Sequence, residues 1–189
     1  MQNSPANRVP SHGTRLFASA YAIDFVPVDE RGRSARFSLG SLLRPEPPEL
    51  FPGFGRRITA PAPGMVVAVH GNEPDHESFR GIPSIRYALT QRQRVGAGWR
   101  GLAGNHVIIE VSSGAFVALC HLQYGSIHVS VGQSVAVGDE LARCGNSGNS
   151  TEPHVHVQAM DGADPGHARA VALSFRGRLP GNREVVANP

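Results

Sequence analysis

The sequence predicts a mainly β protein, with short strands paired as an antiparallel sheet or barrel and long loops inserted between them. Gly (22) and Pro (15) together make up about a fifth of the 189 residues, which suits frequent turns better than a helical bundle. Between residues 106 and 160, apolar runs follow one another at short intervals, separated by Gly, Ser, Asn and Asp. The length fits one domain with a sizeable core.

Residues 1–15 are polar, contain Pro5 and Pro10, and read as a flexible N-terminal arm. Tyr21 to Val28 (YAIDFVPV) is strand-like and carries one acid among apolar neighbours, Asp24, which needs a partner. Residues 29–57 are charged and then proline-rich, and form a long connection. A strand at Gly64 to His70 follows the PAPG turn. Residues 71–104 are a second insertion, in which Ser84 to Val95 reads equally as about three turns of helix or as irregular surface. Strands are expected at His106 to Val111, Ala115 to Leu122, Ile127 to Val131, Glu140 to Cys144 and His154 to Met160. The region after Asp161 is loop-like, with one apolar stretch at Ala170 to Phe175. Residues 16–175 therefore form the single domain, and 176–189 its tail.

All 18 basic residues are Arg, which excludes lysine-dependent chemistry. The net charge of +3 is spread without aromatic interleaving, so nucleic acid is not an expected partner. No run approaches the roughly 20 apolar residues of a membrane span. The first residues lack the apolar core of a secretion signal, so the expectation is cytoplasmic by default, and periplasmic or extracellular if a leader has been removed. Two cysteines, Cys120 and Cys144, are too few for a disulfide framework or a cysteine-ligated zinc site, and whether they pair depends on the fold. The oligomeric state is left open.

Gly145 to Gln158 reads GNSGNSTEPHVHVQ, a glycine-rich turn ahead of two histidines. Strand alternation puts His154, His156 and Gln158 on one face and Val155, Val157 and Ala159 on the other. Two imidazoles on neighbouring rungs can share one divalent ion, or one can bind it while the other handles protons, or both can decorate a solvated face. The same alternation sets His121 opposite Cys120, which argues against a Cys–His nucleophile pair. HESFR at 76–80 opens like a zincin helix, but Arg80 stands where the second histidine belongs. VSVGQSVAVGDELA (129–142) has the look of a biotin or lipoyl carrier hairpin without the acceptor lysine.

Asp24, His121, His154, His156 and the turn remain. GNHVIIEV (104–111), ALCHL (118–122) and VSVGQSVAVGDELARCGNSGNSTEPHVHV (129–157), with APAPGMVVAV (60–69) and YAIDF (21–25) upstream, resemble the lysostaphin-type, or LytM-like, zinc endopeptidases that cut peptidoglycan cross-links. The resemblance implies a barrel-like sandwich of the duplicated hybrid motif type, with peptidoglycan or another peptide as substrate. It implies that Asp24 and His156 bind Zn2+ while His121 and His154 stay unligated, handling protons and stabilising charge. Asn146 and Ser150 then steer the substrate or orient a ligand, or simply shape the turn. The chain departs from the family pattern at Ala20, where the first zinc ligand is expected and alanine offers none. His12, the nearest upstream histidine, is the replacement, with Gly13 easing the turn; His70, His76 and His106 are less favoured. Two readings follow: a zinc hydrolase completed by His12, favoured because His121, His154 and His156 are all present, and a degenerate binding or regulatory module without stable metal.

Overall fold

The computed structural model describes residues 1–111 and 114–186; the last three residues of the expected tail lie outside them. In chain order the strands are β1 (Ile23–Phe25), β2 (Arg57–Thr59), β3 (Gly64–His70), β4 (Asn105–Val111), β5 (Phe116–Leu122), β6 (Ser134–Val135), β7 (Glu140–Arg143), β8 (Val155–Met160) and β9 (Ala170–Val171). Seven of them form one antiparallel sheet in the order β1-β8-β5-β4-β3-β6, with β9 also on β8, while β2 and β7 pair separately. The sheet is open, so the expected barrel-like closure is corrected to a sheet with a small second layer.

Alternation gives the sheet two apolar faces. Ile23, Val66, Val107, Ile109, Leu119 and Val157 pack into the larger cluster with residues of the β6–β7 region. Ile108, Ala118, Cys120 and Met160 pack on the other face against Ala18, Ala103 and Trp99. The second face supports the histidines at one end of β5 and β8.

The 71–104 insertion is helical: α1 (Gly81–Leu89), α2 (Gln91–Gly96) and α3 (Gly98–Ala103). Ser84 to Val95 thus takes the helical alternative, broken at Thr90, and the helices turn back over the second face of the sheet.

Two expectations need correction. Ile127 to Val131 is not a strand, although His128 N–H donates to Leu141 O at 2.9 Å. The pairing partners in this region are instead the short β6 and β7. The apolar stretch at Ala170 to Phe175, in a region expected to be loop-like, supplies the two-residue β9. Residues 1–15 are not a free arm. Gln2 exchanges backbone hydrogen bonds with Asp24 at 2.9 and 3.0 Å, extending the sheet beyond β1. The Ser4 hydroxyl is buried and donates to Pro180 O at 2.5 Å, and Ser11 N–H donates to Ala20 O at 2.9 Å.

Candidate metal centre

Asp24 and His156 meet because β1 and β8 pair in a register that sets them directly opposite. His156 also faces Cys120 on β5, so this pair sits where three strands run side by side. His12 arrives from outside the sheet. Ser11 N–H is bonded to the carbonyl of Ala20, and a turn closed by Gly13 N–H to Pro10 O (3.1 Å) projects the His12 ring beside β1. Gly13 holds φ +74°, a left-handed conformation glycine adopts without a Cβ penalty. The residue that lacks a ligand side chain thus anchors the loop carrying His12.

One candidate ligand atom from each of His12, Asp24 and His156 lies within 4.8 Å of the other two. His12 Nε2 is 3.0 and 3.1 Å from the two Asp24 oxygens, and His156 Nδ1 is 3.0 Å from Oδ1. Asn3 Nδ2 donates to Asp24 Oδ2 at 2.7 Å. Burial pushes the Asp24 pKa up, but the charge of His154 and the hydrogen bonds from His12 and His156 outweigh it, and the carboxyl lies well below the ordinary range.

The tautomer of His156 is fixed from behind. Gln158 Nε2 donates to Phe17 O at 2.8 Å, which turns its Oε1 toward His156 Nε2 at 3.0 Å. His156 Nε2–H therefore donates, and the neutral ring carries its lone pair on Nδ1, facing a carboxylate oxygen. Two acceptors 3.0 Å apart need a cation between them, either a proton or a metal. Burial lowers the pKa of His156, but Asp24 raises it more, and the net direction is up. Two imidazoles and one carboxylate are a donor set able to hold a divalent metal ion.

His154 and His121 sit beside this group with the opposite arrangement. His154 Nδ1–H donates to Glu152 O at 2.8 Å, with Ser150 Oγ at 3.1 Å, leaving Nε2 3.7 Å from Asp24 Oδ1. His121 Nδ1–H donates to Ser147 O at 2.9 Å, and its ring centroid lies 4.7 Å from that of His154. Burial, together with the charges of His154 and His156, holds His121 well below its ordinary pKa, so it is neutral at pH 7.

The expected opposition of Cys120 and His121 is corrected: both border the same cavity. Asn105 pairs with Leu122 and His106 with Cys120, so His121 is the extra residue of a β-bulge, at φ +63°. The bulge swings its imidazole toward the His154 side. Burial pushes the Cys120 thiol far up and that of Cys144 up to about 12, and both cysteines are free. Neither is a nucleophile.

The cavity, about 350 Å3, is walled by Tyr87, Arg94 and Trp99 of the helical insert on one side and Asn3, His12 and Phe17 on the other.

Residues 87–167 match the model of peptidase family M23. The matched span includes His121, His154 and His156 and leaves out His12 and Asp24. The glycyl-glycine endopeptidase ALE-1 of Staphylococcus capitis is 28% identical over 90 residues, 48% of this chain. The alignment spans 25% of that relative's length. Among solved structures, the catalytic domain of the prophage-encoded M23 protein EnpA from Enterococcus faecalis (a mutant) is 23% identical, with 63% of this chain and 68% of that one covered and a TM-score of 0.42. The catalytic domain of lysostaphin from Staphylococcus simulans is 19% identical, with 62% and 68% covered and a TM-score of 0.41.

Other named residues fall elsewhere. Asn146 clamps the turn to the insertion: its N–H donates to Asp75 Oδ1 at 2.6 Å and its Nδ2 to His76 O at 2.8 Å, away from the cavity lining. Ser150 supports His154. His70 and His106 stack on each other at 5.6 Å, apart from His121, His154 and His156, and His76 bonds Gly148 O at 2.9 Å. Sequence reasoning missed Asn3 and Asp75. Asp75 accepts from both Asn146 and Tyr124 N–H, tying the turn to the end of β5, and only its position in an insertion hinted at it.

Proposed function

We propose that this chain is a zinc-dependent endopeptidase acting on peptide bonds of peptidoglycan cross-links, with His12, Asp24 and His156 holding the ion. The observation that carries the reading is the convergence of two imidazoles and a carboxylate from three separate segments beside two further histidines, His121 and His154. When bound, zinc supplies Lewis acidity, acidifying water toward ~pH 7 and polarising a carbonyl.

The protein's own groups do the rest. His154, its Nδ1–H tied to Glu152 O, presents Nε2 to take a proton from the attacking water and return it to the departing amine. His121, neutral and with its Nδ1–H held by Ser147 O, turns its Nε2 lone pair to the cavity, where it accepts a hydrogen bond from the water and orders it on its side. Asn3 and Gln158 hold Asp24 and His156 in place, as supporting groups do around metal ligands. The helical insert and residues 2–19 line an open cavity whose volume suits a few residues of a slender peptide. The name of the Staphylococcus capitis relative supports a glycine-rich link as the first substrate to try.

The test is digestion of purified peptidoglycan and of a pentaglycine peptide by protein prepared without chelator. Cleavage that EDTA abolishes and added zinc restores supports the reading. A metal-free wild type that binds cell-wall fragments without cutting them supports the alternative, a binding module.

A further inference from the structure

One face of the helical insert is used by neither the sheet nor the cavity. Tyr87 and Ala88 of α1 line the cavity. Ile82, Ile85 and Leu89, at i, i+3 and i+7, form a separate stripe that is 52, 62 and 79% exposed. Leu39, Leu42 and Leu43 of the preceding connection are 75, 41 and 68% exposed. The two groups abut: a Cβ at Gly81 would lie 2.6 Å from Leu42 O, and Leu43 and Ile82 line one shallow recess. Six large aliphatic side chains on one surface exceed the scattered exposure of a soluble protein.

The charge around them has a single sign. Residues 36–44 and 81–92 contain Arg36, Arg44, Arg86 and Arg92 and no acid. All four are exposed, and none has an ion-pair partner among the described residues. Glu46, the nearest acid along the chain, is engaged by Arg80 through two bonds of 2.6 Å.

We propose that this face docks on an anionic lipid bilayer, with the leucines and isoleucines entering the boundary between headgroups and acyl chains and the arginines meeting phosphate. Among the described residues no helix is long and apolar enough to cross a membrane, so the contact is peripheral. Self-association through the same face sets four arginines against four, which disfavours a second copy as occupant. Docking holds the cavity, on the other side of α1, beside the lipid surface.

The experiment is flotation of the full chain with vesicles of phosphatidylcholine alone or mixed with phosphatidylglycerol. Binding is expected to the mixed vesicles, to fade with added salt, and to weaken roughly 30-fold in Arg86→Gln/Arg92→Gln. Leu39→Gln/Leu89→Gln, with an unchanged circular dichroism spectrum, is expected to abolish it. No binding to the mixed vesicles, equal binding to neutral ones, or retention by the leucine variant overturns the proposal. So does a wild-type dimer in sedimentation equilibrium that the leucine variant dissolves.

Discussion

Replacing His12 by alanine separates metal binding from folding. His12 is one of three candidate ligands, and its side chain is 20% exposed with partners Ser11 and Asp24. Removing a group that merely supports a ligand costs roughly 10–100-fold in metal affinity. Losing a ligand itself is therefore expected to cost ~100-fold or more, about 2.8 kcal/mol. The fold should suffer little. Asp24 keeps Asn3 and His156, so the variant gives up one hydrogen bond to a charged group, about 1.5–3 kcal/mol against a typical stability of roughly 5–15 kcal/mol. Zinc affinity is measured by competition with a chromophoric chelator, and stability by thermal melting in EDTA. If His12→Ala binds zinc as tightly as wild type while melting normally, His12 is not a ligand and the reasoning fails.

Two further outcomes follow. His156→Ala is expected to lose zinc, whereas His154→Ala should keep it and lose about 10²–10⁴-fold in peptide cleavage, as for a removed acid–base group; equal metal loss in both contradicts this division. For metal-free protein, the raised pKa of His156 contributes stability that is complete below about 6.5 and lost as pH rises through its folded value. The depressed pKa of Asp24 contributes stability present above about 3.9 and lost as pH falls through its folded value. Because the depressed pKa of His121 acts in the opposite sense, the readout is the difference in melting temperature in EDTA between wild type and Asp24→Asn, which should shrink from pH 5.5 to pH 8.5; a difference that does not change with pH argues against the pair.

The face of β8 was legible in the sequence because side chains alternate with a period of two whatever surrounds them, so His154, His156 and Gln158 had to share a side. The position of His121 was not, because alternation fails at a bulge and nothing in ALCHL marks one. The N-terminal segment escaped for another reason. Gln2 and Ser11 are held through backbone hydrogen bonds, which leave no pattern of side chains to read. His12 was within reach of sequence reasoning only through the vacancy at Ala20, whose carbonyl in the structure holds the very loop that brings the imidazole in. The pairs formed by β2 and β6 are two or three residues long, too short for periodicity to register.

The most direct test of the central claim is a crystal structure of the zinc-loaded protein with anomalous data collected on either side of the zinc edge. The account predicts one zinc peak bounded by His12, Asp24 and His156, with His121 and His154 nearby and unligated. A peak elsewhere, or Asp24 and His156 still in direct contact in zinc-saturated crystals, would contradict it.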